Sequence, residues 1–394
     1  MANDLHENSA QLSAPASSPV QTATAGGDAR AARAKRYERI KLRLHLGETA
    51  FVIVALAAFY FTGGSRALAA FARDIGRNEW GTVAVYVAAL LTTATVATLP
   101  LSWWGGFRLE HRFNLSNQTL GAWAWDELKS FGLSLALMTV VGEVIYAFLR
   151  AAGAWWWLWA AAFMTALTLL LSFILPVVII PIFYKLTRLE DEPLAARLRA
   201  MAERSGARVV GVFRIGLGAK TRKANAAFAG FGRTRRILLG DTLLANFSGP
   251  EIEVVLAHEL AHYRHHDIWK GMAVSAALTT AGLWLSDRLL RAAVGGDLAN
   301  VEHLPLLALA LALFALVVSP ATNAWSRRAE YRADRAALEL TRDPDAFTSA
   351  MRKLAGQNLA DMEPHPLVEF LFHDHPALAK RIAKAAAWRQ SASV

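Results

Sequence analysis

Six apolar blocks, at about 47–63, 82–104, 131–149, 154–182, 271–287 and 304–324, decide what this chain can fold into. Each approaches the roughly 20 residues an α-helix needs to cross the hydrocarbon core of a bilayer. One such block could be a buried helix of a soluble protein. Six in a chain of 394 residues describe a polytopic membrane protein, mainly α-helical, with a substantial polar part. The composition agrees, with 54% hydrophobic and only 19% charged residues. The first and fifth blocks are short. The fourth is too long for one straight span and contains Pro176 and Pro181, so a kink is expected there. The absence of cysteine excludes disulfides, a thiolate nucleophile and Cys-ligated metal sites.

A net charge of +10 could point to nucleic acid, but its distribution points to membrane orientation instead. With the N-terminus inside and sides alternating at each block, 36 of the 42 Lys and Arg residues fall on the inner side. That asymmetry is the positive-inside pattern, and the short run Arg30 to Arg43 carries seven of them. The lipid bilayer is therefore a partner and nucleic acid is not. The chain is expected to be a multi-pass integral membrane protein. Its Ala- and Arg-rich composition suggests a bacterial inner membrane.

Five regions follow. Residues 1–45 read as a disordered basic tail, 46–182 as four spans and 183–270 as a cytoplasmic insert. Residues 271–324 supply two more spans and 325–394 a cytoplasmic C-terminal segment. Within the insert, Pro193 to Ser205 reads as a helix. Arg208 to Leu217 and Arg236 to Leu239 read as strands of a small antiparallel ribbon. Pro250 and Glu251 open another helix.

That last helix carries the chemistry. His258 and His262 are four residues apart, so both imidazoles lie on one helical face and can bind one metal ion. Glu259 stands beside the open coordination position, where it can take a proton from the attacking water. Catalytic zinc uses three protein ligands. Glu330 is the candidate third: it follows the sixth block, and two spans return the chain to the same side. Asp334, four residues on, can orient His258 or His262. His265 and His266 lie too close to His262 for the distant third histidine of other zinc proteases, and read as polar positions at the membrane boundary. Glu143, inside the third block, reads equally as a helix–helix hydrogen bond or a functional carboxylate.

The sequence resembles the type I CAAX prenyl endopeptidases, integral-membrane zinc metalloproteases. The resemblance rests on Arg108 to Thr119, on Pro181, Phe183 and Lys185, and on Lys223 to Ala226 with Gly230 and Phe231. It continues through Arg236 to Leu243, the metal helix, Asn323, Ser326 to Arg328, Glu330 and Asp334, and ends at Asn358, Pro366 and His375-Pro376. These anchors span about residues 100–385. Departures include Ala261 for the usual Gly, Tyr263 for the usual Trp, and an altered approach from Lys220 to Asn225.

The resemblance implies helices enclosing a water-filled chamber, with one zinc ion at its cytoplasmic end under a cap made by the insert and the C-terminal segment. It implies that Asn225 and Ala226 lie on an edge strand that pairs with substrate backbone. It also places the stretch from His375 to Arg381 over the zinc. There a histidine and a guanidinium could stabilise the oxyanion of peptide hydrolysis, or simply belong to a capped helix. The expected substrate is a peptide or protein, membrane-associated or lipidated. Two alternatives stand beside this reading: a quality-control membrane protease of the bacterial heat-shock type, and an inactive membrane scaffold. Retention of Glu259 with both histidines and Glu330 speaks against the scaffold.

Overall fold

The computed structural model describes residues 19–230 and 232–392. The expected disorder of residues 1–18, and Phe231, lie outside the described residues. The rest of the expected tail is corrected: Pro19–Phe61 is one 43-residue helix, α1, which runs without a break into the first apolar block. Its Ala, Arg and Lys residues are strong helix formers. Tyr37 also anchors it, buried against Leu109, Phe113, Leu115 and Leu359.

A short helix, α2 (Gly64–Gly76), leads into α3 (Glu79–Ser102), which is capped by the Asn78 side chain. A π-helical stretch at 103–108 joins α3 to the single turn α4 (Leu109–Arg112). The Thr119 hydroxyl caps α5 (Leu120–Ala151), and α6 (Trp156–Ile174) returns. The kink expected in the fourth block is a π-helical segment, Leu175–Ile179, around Pro176, followed by α7 (Ile180–Phe183). Proline removes a hydrogen-bond donor and its ring crowds the preceding turn, so the ladder widens there.

The insert holds β1 (Leu186–Arg188), α8 (Glu192–Arg204), β2 (Gly211–Ile215), β3 (Ala226–Ala229), β4 (Arg236–Gly240) and α9 (Asp241–Leu244). The expected antiparallel ribbon is corrected to a four-stranded mixed sheet of order β1-β2-β4-β3. β2 and β4 do pair, but in parallel, while β3 runs antiparallel to β4 at the sheet edge. The cause is the excursion between them. Residues 216–225 leave the sheet and dock on the loop before α5, through a Ser116–Thr221 bridge and the Asn117 N–H on the Lys220 carbonyl. The chain therefore comes back to β4 from the far side.

Next come α10 (Gly249–Arg264), α11 (Asp267–Val294), α12 (Leu304–Thr341), α13 (Pro344–Asn358), α14 (Pro366–Phe372) and α15 (Leu378–Ala392). Among the described residues, five helical stretches are long and apolar enough to cross a membrane: 29–61, 79–112, 120–151, 153–183 and 301–341. The fifth apolar block lies in α11 and is not among them. Its 28 residues are long enough, but Ser275, Thr279, Thr280 and the charges at both ends dilute its hydropathy. It packs against α6 and α12 through Leu283, Leu290, Trp156 and Leu307. Val54, Val96 and Val317 are exposed on outward faces of the spans, as lipid contact requires.

A cavity of about 740 Å³ lies between α3, α5, α6, α11 and α12. Its walls are mostly apolar, among them Met138, Ile145 and Phe314, and it reaches Asn323, Ser326 and Asp374 at the end nearest α10. A separate core lies below the spans: Leu198, Ile237, Leu239, Leu256 and Leu260 pack the sheet, α8 and α10 into one unit.

Candidate metal centre

Local sequence starts the metal helix where it does. The Ser248 side chain caps α10, and the Glu251 carboxylate accepts from the Ser248 N–H at 2.6 Å, completing a capping box. Glu251 is buried, which opposes its charge. Lys353 at 2.6 Å and the Ser349 hydroxyl, also at 2.6 Å, outweigh that cost and hold its pKa at about 2. The capped end is thereby tied to α13.

Two turns later, His258 and His262 share a face. Their Nε2 atoms are 3.2 Å apart. α12 lies across α10 and presents Glu330, whose Oε2 is 3.3 Å from His258 Nε2 and whose Oε1 is 3.2 Å from His262 Nε2. One ligand atom from each of the three residues lies within 4.8 Å of the others. Glu330 Oε2 is buried and has no hydrogen-bond partner. Two imidazole nitrogens facing a carboxylate with an unsatisfied buried oxygen fit a divalent metal such as zinc. His265 and His266 are not part of this group. His266 adopts a left-handed conformation (φ 54°) at the turn into α11.

Each histidine is oriented from behind. Asp334 Oδ1 is 3.0 Å from His258 Nδ1, as the sequence suggested for this carboxylate. Asp267 joins it without having been expected: its Oδ2 is 3.0 Å from His262 Nδ1, and its Oδ1 accepts from Arg332 at 3.0 Å. Its only signal in the sequence is an acid one residue past the turn that ends α10. Burial pushes the His258 imidazole toward neutrality, but Asp334 and Glu330 prevail and hold its pKa at about 9.

His375 and Arg381 both stand beside the ligands. His375 Nε2 is 3.4 Å from Glu330 Oε1, and its side chain is 59% exposed. Asp374 beside it raises the His375 pKa, favouring the donating form. Arg381 is buried and grips Asp334 through Nε at 2.8 Å and Nη2 at 2.5 Å. Its Nη1 lies 3.8 Å from Glu330 Oε2.

A cleft of about 430 Å³ opens on these groups, lined by His258, Glu259, Glu330, His375, Asn225 and Ala226 among others. Asn225 directly precedes the edge strand β3. The backbone there is pinned: Ala224 donates to the Asn358 side chain at 2.9 Å, and that side chain donates back to the Ala224 carbonyl at 3.2 Å. Glu143 lies elsewhere, with a buried Oε2 that finds no partner.

Residues 11–185 match the CAAX prenyl protease N-terminal family, described by five membrane helices. Residues 188–389 match peptidase family M48. The chain is similar to the uncharacterized metalloprotease YhfN of Bacillus subtilis, 31% identical over 309 residues, spanning 76% of this chain and 72% of that protein. It is also similar to CAAX prenyl protease 1 of Saccharomyces cerevisiae, 29% identical over 325 residues, with 75% and 70% of the two chains covered. The crystal structure of S. mikatae Ste24p has the same fold, with a TM-score of 0.80 at 23% identity, covering 90% of this chain and 88% of that one.

Proposed function

The chain belongs to peptidase family M48 as a multi-pass membrane metalloprotease of the CAAX prenyl protease type, and from that premise we propose a zinc-dependent endopeptidase that works at the cytoplasmic face of a bacterial inner membrane. The observation that carries this reading is the grouping of His258, His262 and Glu330 beside a cleft that also holds Glu259, Asn225 and the edge-strand residue Ala226.

His258, His262 and Glu330 would hold the zinc ion, which supplies Lewis acidity toward water and the scissile carbonyl. The protein's own groups do the rest. The exposed edge at Asn225 and Ala226 pairs with an extended substrate backbone and sets its register across the cleft. A Glu259 carboxylate oxygen takes the proton from the attacking water and then delivers it to the leaving amine. His375, outside the ligand set and mostly exposed, donates toward the carbonyl oxygen as negative charge develops. Arg381 is a positioning residue, because its two bonds to Asp334 hold that carboxylate against His258. Orienting carboxylates on both histidines, from Asp334 and Asp267, are what a loaded catalytic centre needs and an inactive scaffold does not.

The substrates would be membrane-associated proteins, lipidated ones included. The apolar cavity between the spans ends near Asp374, next to this cleft, and could receive an acyl or isoprenoid chain while the peptide lies on β3. The test compares purified enzyme on a farnesylated peptide and on its unmodified counterpart. Preference for the farnesylated peptide supports the lipid part of the reading. Equal cleavage of both removes that part and leaves the endopeptidase, and cleavage of no peptide by the zinc-loaded enzyme overturns the whole.

A further inference from the structure

On the other side of α13 from the catalytic cleft lies a second cavity, of about 800 Å³. Arg30 from α1, Arg214 from β2, Arg222 from the 216–225 loop, and Arg352 and Lys353 from α13 line it, with Asp241 as its acidic residue. Among the described residues, most of this positive charge is uncompensated. Lys353 is neutralised by Glu251. Arg214 reaches Asp241 only at 3.9 Å, and the Oδ1 of that carboxylate already accepts the Leu217 and Gly218 N–H groups. Arg222 spends its Nε on the neutral Asn117 side chain at 2.9 Å, and all five cationic side chains are exposed.

We propose that this cleft binds a small soluble polyphosphate, a nucleotide-like di- or triphosphate, between α1 and α13. Guanidinium groups converging from separate elements suit the clustered oxygens of such a ligand. Gly356 contributes by having no side chain: a Cβ there would lie 2.9 Å from the Arg30 guanidinium carbon, so glycine lets that group lie close on α13. A lipid headgroup carries the same phosphate chemistry, and the vesicle comparison in the test below separates the two sources. The charge is gathered in one pocket rather than along a track, which disfavours nucleic acid.

Bound there, the ligand ties α1 to α13 and to the loop that leads into β3. Gln357 already links α13 to that loop and to α9 by donating to the Arg222 and Thr242 carbonyls at 2.7 and 3.1 Å. The cleft can thus stiffen the approach to the substrate strand without touching the metal ligands.

The test is calorimetric titration of the purified full chain with tripolyphosphate, with hexaglutamate and anionic lipid vesicles as comparison ligands. Saturable tripolyphosphate binding is expected that is at least about tenfold weaker in Arg222→Gln and in Arg352→Gln. Both positions are exposed, so the variants should fold. Arg199→Gln, on α8 away from the cleft, should bind like the wild type. Three results would overturn the proposal: no saturable binding, equal affinity in the two cleft variants, or tighter binding of hexaglutamate or vesicles than of tripolyphosphate.

Discussion

Replacing the Glu259 carboxylate by its isosteric amide removes a proton acceptor and leaves the helix and both histidines in place. Glu259→Gln should therefore retain metal while kcat falls by about 10²–10⁴, as is typical when a general base is lost. Turnover by the purified variant within a few-fold of the wild type would assign the base elsewhere. Asp267 makes a different prediction. It acts only through His262, so Asp267→Ala should weaken metal affinity about 10–100-fold, measured by competition with a chelator. Unchanged affinity would reduce Asp267 to a partner of Arg332. The two residues are not equally legible in the sequence. His258 and His262 are readable because a spacing of four puts them on one helical face, and Glu259 because it stands one position on from the first of them. Glu330 is readable because an even number of crossings has to bring it back. Asp267 depends on a turn whose left-handed residue, His266, reverses the chain, and nothing in a linear pattern reports that reversal.

At the scale of elements, α10 owes part of its stability to Glu251. Its folded pKa of about 2 lies below the ordinary value of 4.5, so its contribution is fully present above pH 4.5 and is lost as pH falls toward 2. The shift corresponds to about 3 kcal/mol. Glu251→Gln should lower Tm at neutral pH, and the gap between variant and wild type should close as pH is lowered through that window. A gap that stays constant with pH would show that packing, not charge, holds the cap. The parallel pairing of β2 with β4 escapes a sequence reading because strand propensity says nothing about the path between strands. Residues 216–225 are drawn out to the loop before α5, and that long-range contact turns an expected hairpin into a parallel pair. The first half of α1 escapes it for a related reason. Its charge and small residues resemble a disordered tail, and the Tyr37 hydroxyl gives it a fixed place by accepting from Lys223 at 2.9 Å and donating to Glu110.

Across the whole molecule, Glu330 can meet His258 only if α11 and the apolar half of α12 form a hairpin that starts and ends on one side. We therefore expect α11 to cross despite its diluted hydropathy. The N-terminus, the insert and the C-terminus should all face the cytoplasm, with α11–α12 meeting the opposite side near Gly295. A cytoplasm-active reporter fused after Val394 should be active, and one placed at Gly295 inactive. The reverse pattern would contradict both the orientation and the side on which cleavage occurs. The membrane class is legible because it rests on block length, while the sidedness is an expectation from the summed Lys and Arg that the reporters would test. The apolar cavity between the spans is not readable from the residues, because it depends on how five helices lean on one another.

The central claim is that one metal ion, held jointly by His258, His262 and Glu330, is what makes this chain a protease. Metal content and peptide cleavage measured on the same purified samples test it most directly. The wild type should hold one zinc per chain, lose cleavage when stripped by chelator and regain it in proportion to zinc restored up to one equivalent. Glu330→Ala should lose metal and cleavage together. Undiminished cleavage by stripped enzyme, or full and tightly held zinc in Glu330→Ala, would contradict it.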